Sequence, residues 1–142
     1  MTSTQVEVRE LLDNWSEAIR TKDIDRLMTL YGPDIVYFDV VPPLRYRGSE
    51  AVRRNFLRWF DSWASLIGQE VGDLHLVTNG DIAVAYMLLR ASGTLKNGRE
   101  VSYWVRTTVG CQRADGKWMI THEHVSLPVD VASGQAVMDL LP

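Results

Sequence analysis

At 142 residues the chain is long enough for one domain with a core of its own and too short for two. A net charge of -3, with 46% hydrophobic and 23% charged residues, excludes a nucleic-acid surface or a polybasic membrane anchor and leaves a small molecule or another protein as the partner. The single Cys111 excludes an intrachain disulfide, and no run reaches the roughly 18 apolar residues of a membrane span, so the expected location is cytoplasmic.

From about Thr4 to Thr21 the apolar residues Val8, Leu11, Leu12, Trp15, Ala18 and Ile19 draw one stripe along an amphipathic helix. Ile24, Leu27, Met28 and Tyr31 repeat that spacing in a second, shorter helix, with Asp23 as N-cap and Gly32-Pro33 as its stop. Asp34 to Val41 reads as the first strand, on which Ile35, Tyr37 and Asp39 share a face, and Pro42-Pro43 ends it. Gly48 and Ser49 open a third helix whose Val52, Phe56, Trp59, Phe60 and Trp63 form an aromatic wall. The turn signals Asn79-Gly80, Asn97-Gly98 and Asp115-Gly116 then separate four extended segments near Val71 to Thr78, Ile82 to Leu95, Arg99 to Arg113 and Lys117 to Leu127, an antiparallel meander. A short helix is expected near Ala136 to Leu141. This order predicts an α+β cone, a single domain over 1–142, in which three N-terminal helices pack on a strongly curved, mainly antiparallel sheet and leave a pocket where the cone fails to close.

The last segment, W-M-I-T-H-E-H-V-S-L-P from Trp118, is the richest in chemistry. Strict alternation puts Trp118, Ile120, His122, His124 and Ser126 on one face and Met119, Thr121, Glu123 and Val125 on the other. Turned to a cavity, the first face offers two imidazoles and a hydroxyl; turned outward, it is solvated. The strand before it splits into Tyr103, Val105, Thr107 and Val109 on one side and Trp104, Arg106, Thr108 and Gly110 on the other. Arg106 is then either a rim cation or the partner of a buried acid. His75, Glu123 and Cys111 read as structural or surface residues. An H-x-H pair supplies two metal ligands with Asp39 as a conceivable third, but neither histidine has a neighbouring cysteine or a second clustered acid, so no metal is expected.

The chain resembles the SnoaL-like and ketosteroid isomerase-like members of the nuclear transport factor two-like superfamily over essentially its whole length. The resemblance is carried by W-S-E-A-I-R-T-K-D-I-D-R-L from Trp15, Y-G-P-D-I-V-Y-F-D from Tyr31, P-P-L-R-Y-R-G from Pro42 and D-G-K-W-M-I-T-H-E-H-V-S-L-P from Asp115. It implies the cone fold, a homodimer and a general-base aspartate at Asp39, eight residues after the Tyr31 that ends the second helix. The oxyanion partners of the steroid isomerases do not carry over: Trp15 stands where their tyrosine is expected, and Arg106 to Thr108 where their acid is.

The reading of function that follows is a cofactor-free isomerase, cyclase or lyase, polyketide cyclase-like in its kinship, acting on a small apolar or carbonyl-containing molecule. Asp39, His122 and His124 are the expected catalytic residues, and Trp15, Tyr37, Trp59, Trp63, Trp104, Arg106 and Ser126 the substrate-binding ones. The local alternative for Asp39 is a strand-ending turn acid or the structural partner of an arginine. The alternative for the whole chain is a binding or assembly domain without catalysis. Apolar residues on both sides of Ile82 to Leu89 point to dimerisation through the outer face of the meander.

Overall fold

The three glycine turns close three hairpins. In a computed structural model, which describes residues 2–142, β3 (Gly68–Asn79), β4 (Ile82–Thr94), β5 (Glu100–Ala114) and β6 (Lys117–Ser126) run antiparallel in succession. Gly80, Gly98 and Gly116 all have positive φ, at 60°, 86° and 73°, a conformation that a side chain resists. The other edge of β6 pairs in parallel with β1 (Tyr31–Phe38), which in turn pairs with the short β2 (Tyr46–Arg47), giving the order β2-β1-β6-β5-β4-β3. Strands of 13 and 15 residues at β4 and β5 do not stay flat, and the sheet curls around the helices.

The helices α1 (Ser3–Arg20), α2 (Ile24–Met28) and α3 (Ser49–Asp61) cover the concave face. Thr2 Oγ1 accepts from Gln5 N at 3.2 Å while Gln5 Oε1 accepts from Thr2 N at 3.0 Å, a reciprocal cap that starts α1 on register for its buried stripe of Val8, Leu11, Leu12, Trp15, Ala18 and Ile19. Asp23 caps α2 through Arg26 N at 3.2 Å. The loop after α3 presses against β4 at Gly93, where a Cβ would lie 2.5 Å from Ser65 Oγ and 3.0 Å from Leu66 O. That close approach, together with a φ of 150°, requires glycine there.

The structure differs from the sequence reading in the first strand and in the tail: the second helix ends at Met28, which leaves Tyr31 to β1, and β1 stops at Phe38, short of Val41. β1 begins at Tyr31 and takes in Gly32-Pro33 instead of following it. Its pairing with β6 slips between Tyr31 and Val36, and β2 reaches only Val36 and Tyr37, so the proline sits in an irregular stretch where no ladder bond needs its missing N–H. The expected helix near Ala136 to Leu141 is absent. β7 (Val129–Asp130) and β8 (Gln135–Ala136) form a small hairpin instead, and the residues beyond it are irregular. Six residues with no cap are too few to nucleate a helix, and Ala136 and Met138, two apart as in extended chain, turn toward the cavity.

Candidate functional site

The site is set by one extra residue in β6. Gly110 of β5 stands opposite His122, but Cys111 stands opposite Ile120, so Thr121 is a bulge with no partner of its own. Trp118 and Ile120 face the core before it. After it the parity reverses: Glu123, only 2% exposed, and Val125 face the hollow, while His122 and His124 face away.

Glu123 is the floor of a cavity of about 660 Å³. Its Oε1 accepts from the Tyr31 hydroxyl at 2.6 Å, and the Tyr31 oxygen accepts from Trp15 Nε1 at 2.9 Å. Burial pushes the carboxyl up, the Tyr31 and Tyr37 hydroxyls pull it back, and the charge of Asp39 raises it again, leaving Glu123 at about 7. The same burial, followed by the charge of Glu123, holds Tyr31 and Tyr37 well above their ordinary value, so both phenols stay neutral donors. Thr107, 1% exposed and on the same wall, has a hydroxyl without a protein partner among the described residues.

The rim is built differently. Asp39 follows the end of β1, where Tyr37 points inward and parity brings Asp39 to the same side. Its Oδ1 accepts from Val40 N at 2.7 Å and its Oδ2 from Asn55 Nδ2 at 2.7 Å. Asn55 is buried in α3, and its Oδ1 accepts from Arg58 Nη2 at 3.0 Å, so the amide stands between the carboxylate and the guanidinium. Arg58 also donates to the Tyr46 hydroxyl at 3.1 Å, and Tyr46 donates to Pro42 O at 2.8 Å, which fastens the rim loop to α3. Between rim and floor the walls are apolar: Trp15, Phe56 and Trp59 from the helices, Leu89 and Ala91 from β4, Tyr103 and Val105 from β5.

The sequence-predicted residues divide accordingly. Trp15, Tyr37, Asp39 and Trp59 line the cavity together. His122 does not: its Nδ1 lies 2.7 Å from Val36 O, and its ring meets Phe38 edge-on at 5.0 Å. His124 packs against the same Phe38 at 5.4 Å, also outside the cavity. Ser126 receives a hydrogen bond from Arg106 Nε at 3.0 Å on the outer face, and Arg106 is exposed there, away from Asp39. Trp104 shares that face beneath the Arg90 guanidinium, 6.0 Å away. Trp63 is buried just past the end of α3 and borders a neighbouring groove of about 810 Å³ in place of this cavity. Among the described residues no three His, Cys, Asp or Glu side chains gather as metal ligands.

The sequence marks Glu123 as structural or surface, and its cavity position comes from the bulge. A signal was present: the apolar residues Trp118 and Ile120 fall on even positions, whereas Val125 and Leu127 fall on odd ones. A strand with one buried face changes parity in that way only by inserting a residue between them. The helical spacing turns Arg58, with Arg53 and Arg54, outward from the third helix, whereas the structure brings Arg58 to the cavity rim beside Asn55, and both gain their meaning only from β1.

A SnoaL-like domain matches residues 8–130 of the chain. The chain is similar over 100% of its length, and 100% of the other, to an NTF2-like protein of unknown function from Pseudomonas putida, at 30% identity and a TM-score of 0.89. A ketosteroid isomerase-like protein from Erwinia carotovora atroseptica shares the fold at 16% identity and a TM-score of 0.77, over 89% of this chain and 97% of that one. A protein with a cystatin-like fold from Caulobacter vibrioides does so at 19% identity and a TM-score of 0.74, over 91% and 92%. No curated protein matches the chain.

Proposed function

This chain belongs to the SnoaL-like family, and from that premise we propose that it is a cofactor-free isomerase, cyclase or lyase acting on a small, largely apolar, carbonyl-containing molecule. One observation carries the reading: two carboxyl groups in unlike surroundings border the same apolar cavity, Asp39 at the rim and Glu123, at about 7, on the floor. Asp39 takes a proton from the carbon next to the carbonyl, and the electron pair left behind moves onto the carbonyl oxygen. Glu123 in its acid form hydrogen-bonds that oxygen, and a group poised near neutral pH is suited to give and regain a proton. Trp15, Phe56 and Trp59 hold the apolar body and keep water from the reacting carbon. His122, His124 and Arg106 face away from the cavity and have no part in these steps.

The test is deuterium uptake at the α-carbon of cyclic ketones and polyketide-like compounds in heavy water, followed by NMR. Uptake above the buffer rate that is lost in Asp39→Asn is the expected result. Ketones that raise the melting temperature yet exchange at the buffer rate would overturn the enzymatic reading. They would favour a binding protein instead, in which the two 2.7 Å hydrogen bonds to Asp39 hold it as a fixed acceptor.

We also propose a cytoplasmic homodimer joined through the outer face of the sheet, where Val71, Val77, Ile82, Val84 and Tyr86 are exposed. No helix among the described residues is long and apolar enough to cross a membrane. A monomeric mass by light scattering at working concentration would overturn the dimer.

A further inference from the structure

We propose that Trp15 and Tyr31 are positioning residues that keep the acid proton of Glu123 off Oε1 and so fix it on Oε2. The inference rests on the reading of Glu123 as the cavity's proton donor, and it names what aims that donor.

The argument is one of hydrogen-bond direction. An indole N–H donates and cannot accept. With Trp15 Nε1 2.9 Å from the Tyr31 hydroxyl, the tyrosine oxygen must accept, and its single hydrogen is left for Glu123 Oε1 at 2.6 Å. Oε1 is therefore an acceptor in both states of Glu123. Were the acid proton on Oε1 and aimed at Tyr31, two hydrogens would meet between oxygens 2.6 Å apart, or the tyrosine hydrogen would turn back upon the indole, another donor. All three residues are at most 2% exposed, so water is not at hand to relieve that conflict. The proton accordingly belongs to Oε2, and Oε1 carries the carbonyl character.

The remaining groups around Glu123 leave this arrangement in place. From β1 and its continuation come Tyr37, whose neutral hydroxyl is a second donor to the Glu123 carboxyl and offers nothing that would draw the acid proton to Oε1, and Asp39; from β5 comes Cys111, whose thiol is pushed up to about 12 by burial and then by Glu123 and so stays protonated. From α3 comes Arg58, at the rim beyond Asn55, and α1 supplies only the neutral Trp15. The histidines on β6 itself face the other way.

The test reads Glu123 without turnover, so it succeeds or fails independently of whether α-exchange is found. Isotope-edited infrared spectra, with Glu123→Gln to assign the band, report the C=O stretch of the protonated side chain, and carbon-13 NMR reports its titration. In Tyr31→Phe the stretch moves to higher frequency, because its C=O loses a donor, and the titration midpoint rises by about one unit, because the ionised form loses the same donor. Trp15→Phe shifts both in the parent protein but neither in the Tyr31→Phe background. An unmoved stretch in Tyr31→Phe would put the proton on Oε1 and overturn the proposal. Equal effects of Trp15→Phe in both backgrounds would reduce Trp15 to packing. If Trp15→Phe does not fold, the Tyr31→Phe stretch alone decides.

Discussion

The floor and the rim of the cavity hold the same functional group in two settings. Glu123 is surrounded by phenols and an indole with almost no water, and desolvation is the largest influence on it. Asp39 is partly exposed, bound by a backbone N–H and an amide, with a guanidinium one hydrogen bond further on. Neither carboxyl forms an ion pair with a described residue, and for Glu123 burial is the largest influence. Under the proposed mechanism, the labour is divided between the two acids by a difference in depth.

The sharpest way to break that contrast is at the rim. Asp39→Asn keeps the volume and one acceptor oxygen but removes the base and sets an amide NH2 against Val40 N or Asn55 Nδ2, so α-exchange should fall by about 10²–10⁴-fold per folded molecule, with some loss of stability and the ligand-induced thermal shift preserved. A variant that loses stability but keeps its exchange rate per folded molecule would make Asp39 a structural acceptor.

At the floor the expected effect is on stability and follows from linkage. Glu123 ionises at about 7 when folded against an ordinary 4.5, so the folded state holds its proton more tightly than the unfolded chain. Its contribution is full below about 4.5 and is lost as pH rises through about 7, a difference of roughly 3 kcal/mol. Glu123→Gln should flatten that slope in urea unfolding measured across the window, since the amide carbonyl still accepts from Tyr31. A slope unchanged by the substitution would show that another group is responsible.

Asn55 ties the rim to α3, and its removal is a smaller perturbation. Asn55→Ala strips one donor from Asp39 and should cost about 1–3 kcal/mol in unfolding free energy while slowing exchange. His124→Ala is the control on the opposite face of β6: unfolding free energy within about 0.5 kcal/mol of the parent and exchange unaltered. A large loss of exchange in His124→Ala would contradict the face assignment created by the bulge.

Much of this architecture was legible because its determinants are local. The stripes of α1 and α3, the Asp23 cap and the three glycine turns each depend on residues a few positions apart, and the meander follows from them. The shared side of Tyr37 and Asp39 is legible because no irregularity lies between them, so a period of two carries through. The face of β6 was not legible in that way. Whether Thr121 is paired or bulged depends on how β5 and β1 hold the strand on either side, and that choice turns Glu123 inward and His122, His124 and Ser126 outward together. The sequence by itself determined which polar residues that strand holds; the tertiary pairing decided which of them meets the cavity, because one unpaired residue reverses the parity of every side chain after it.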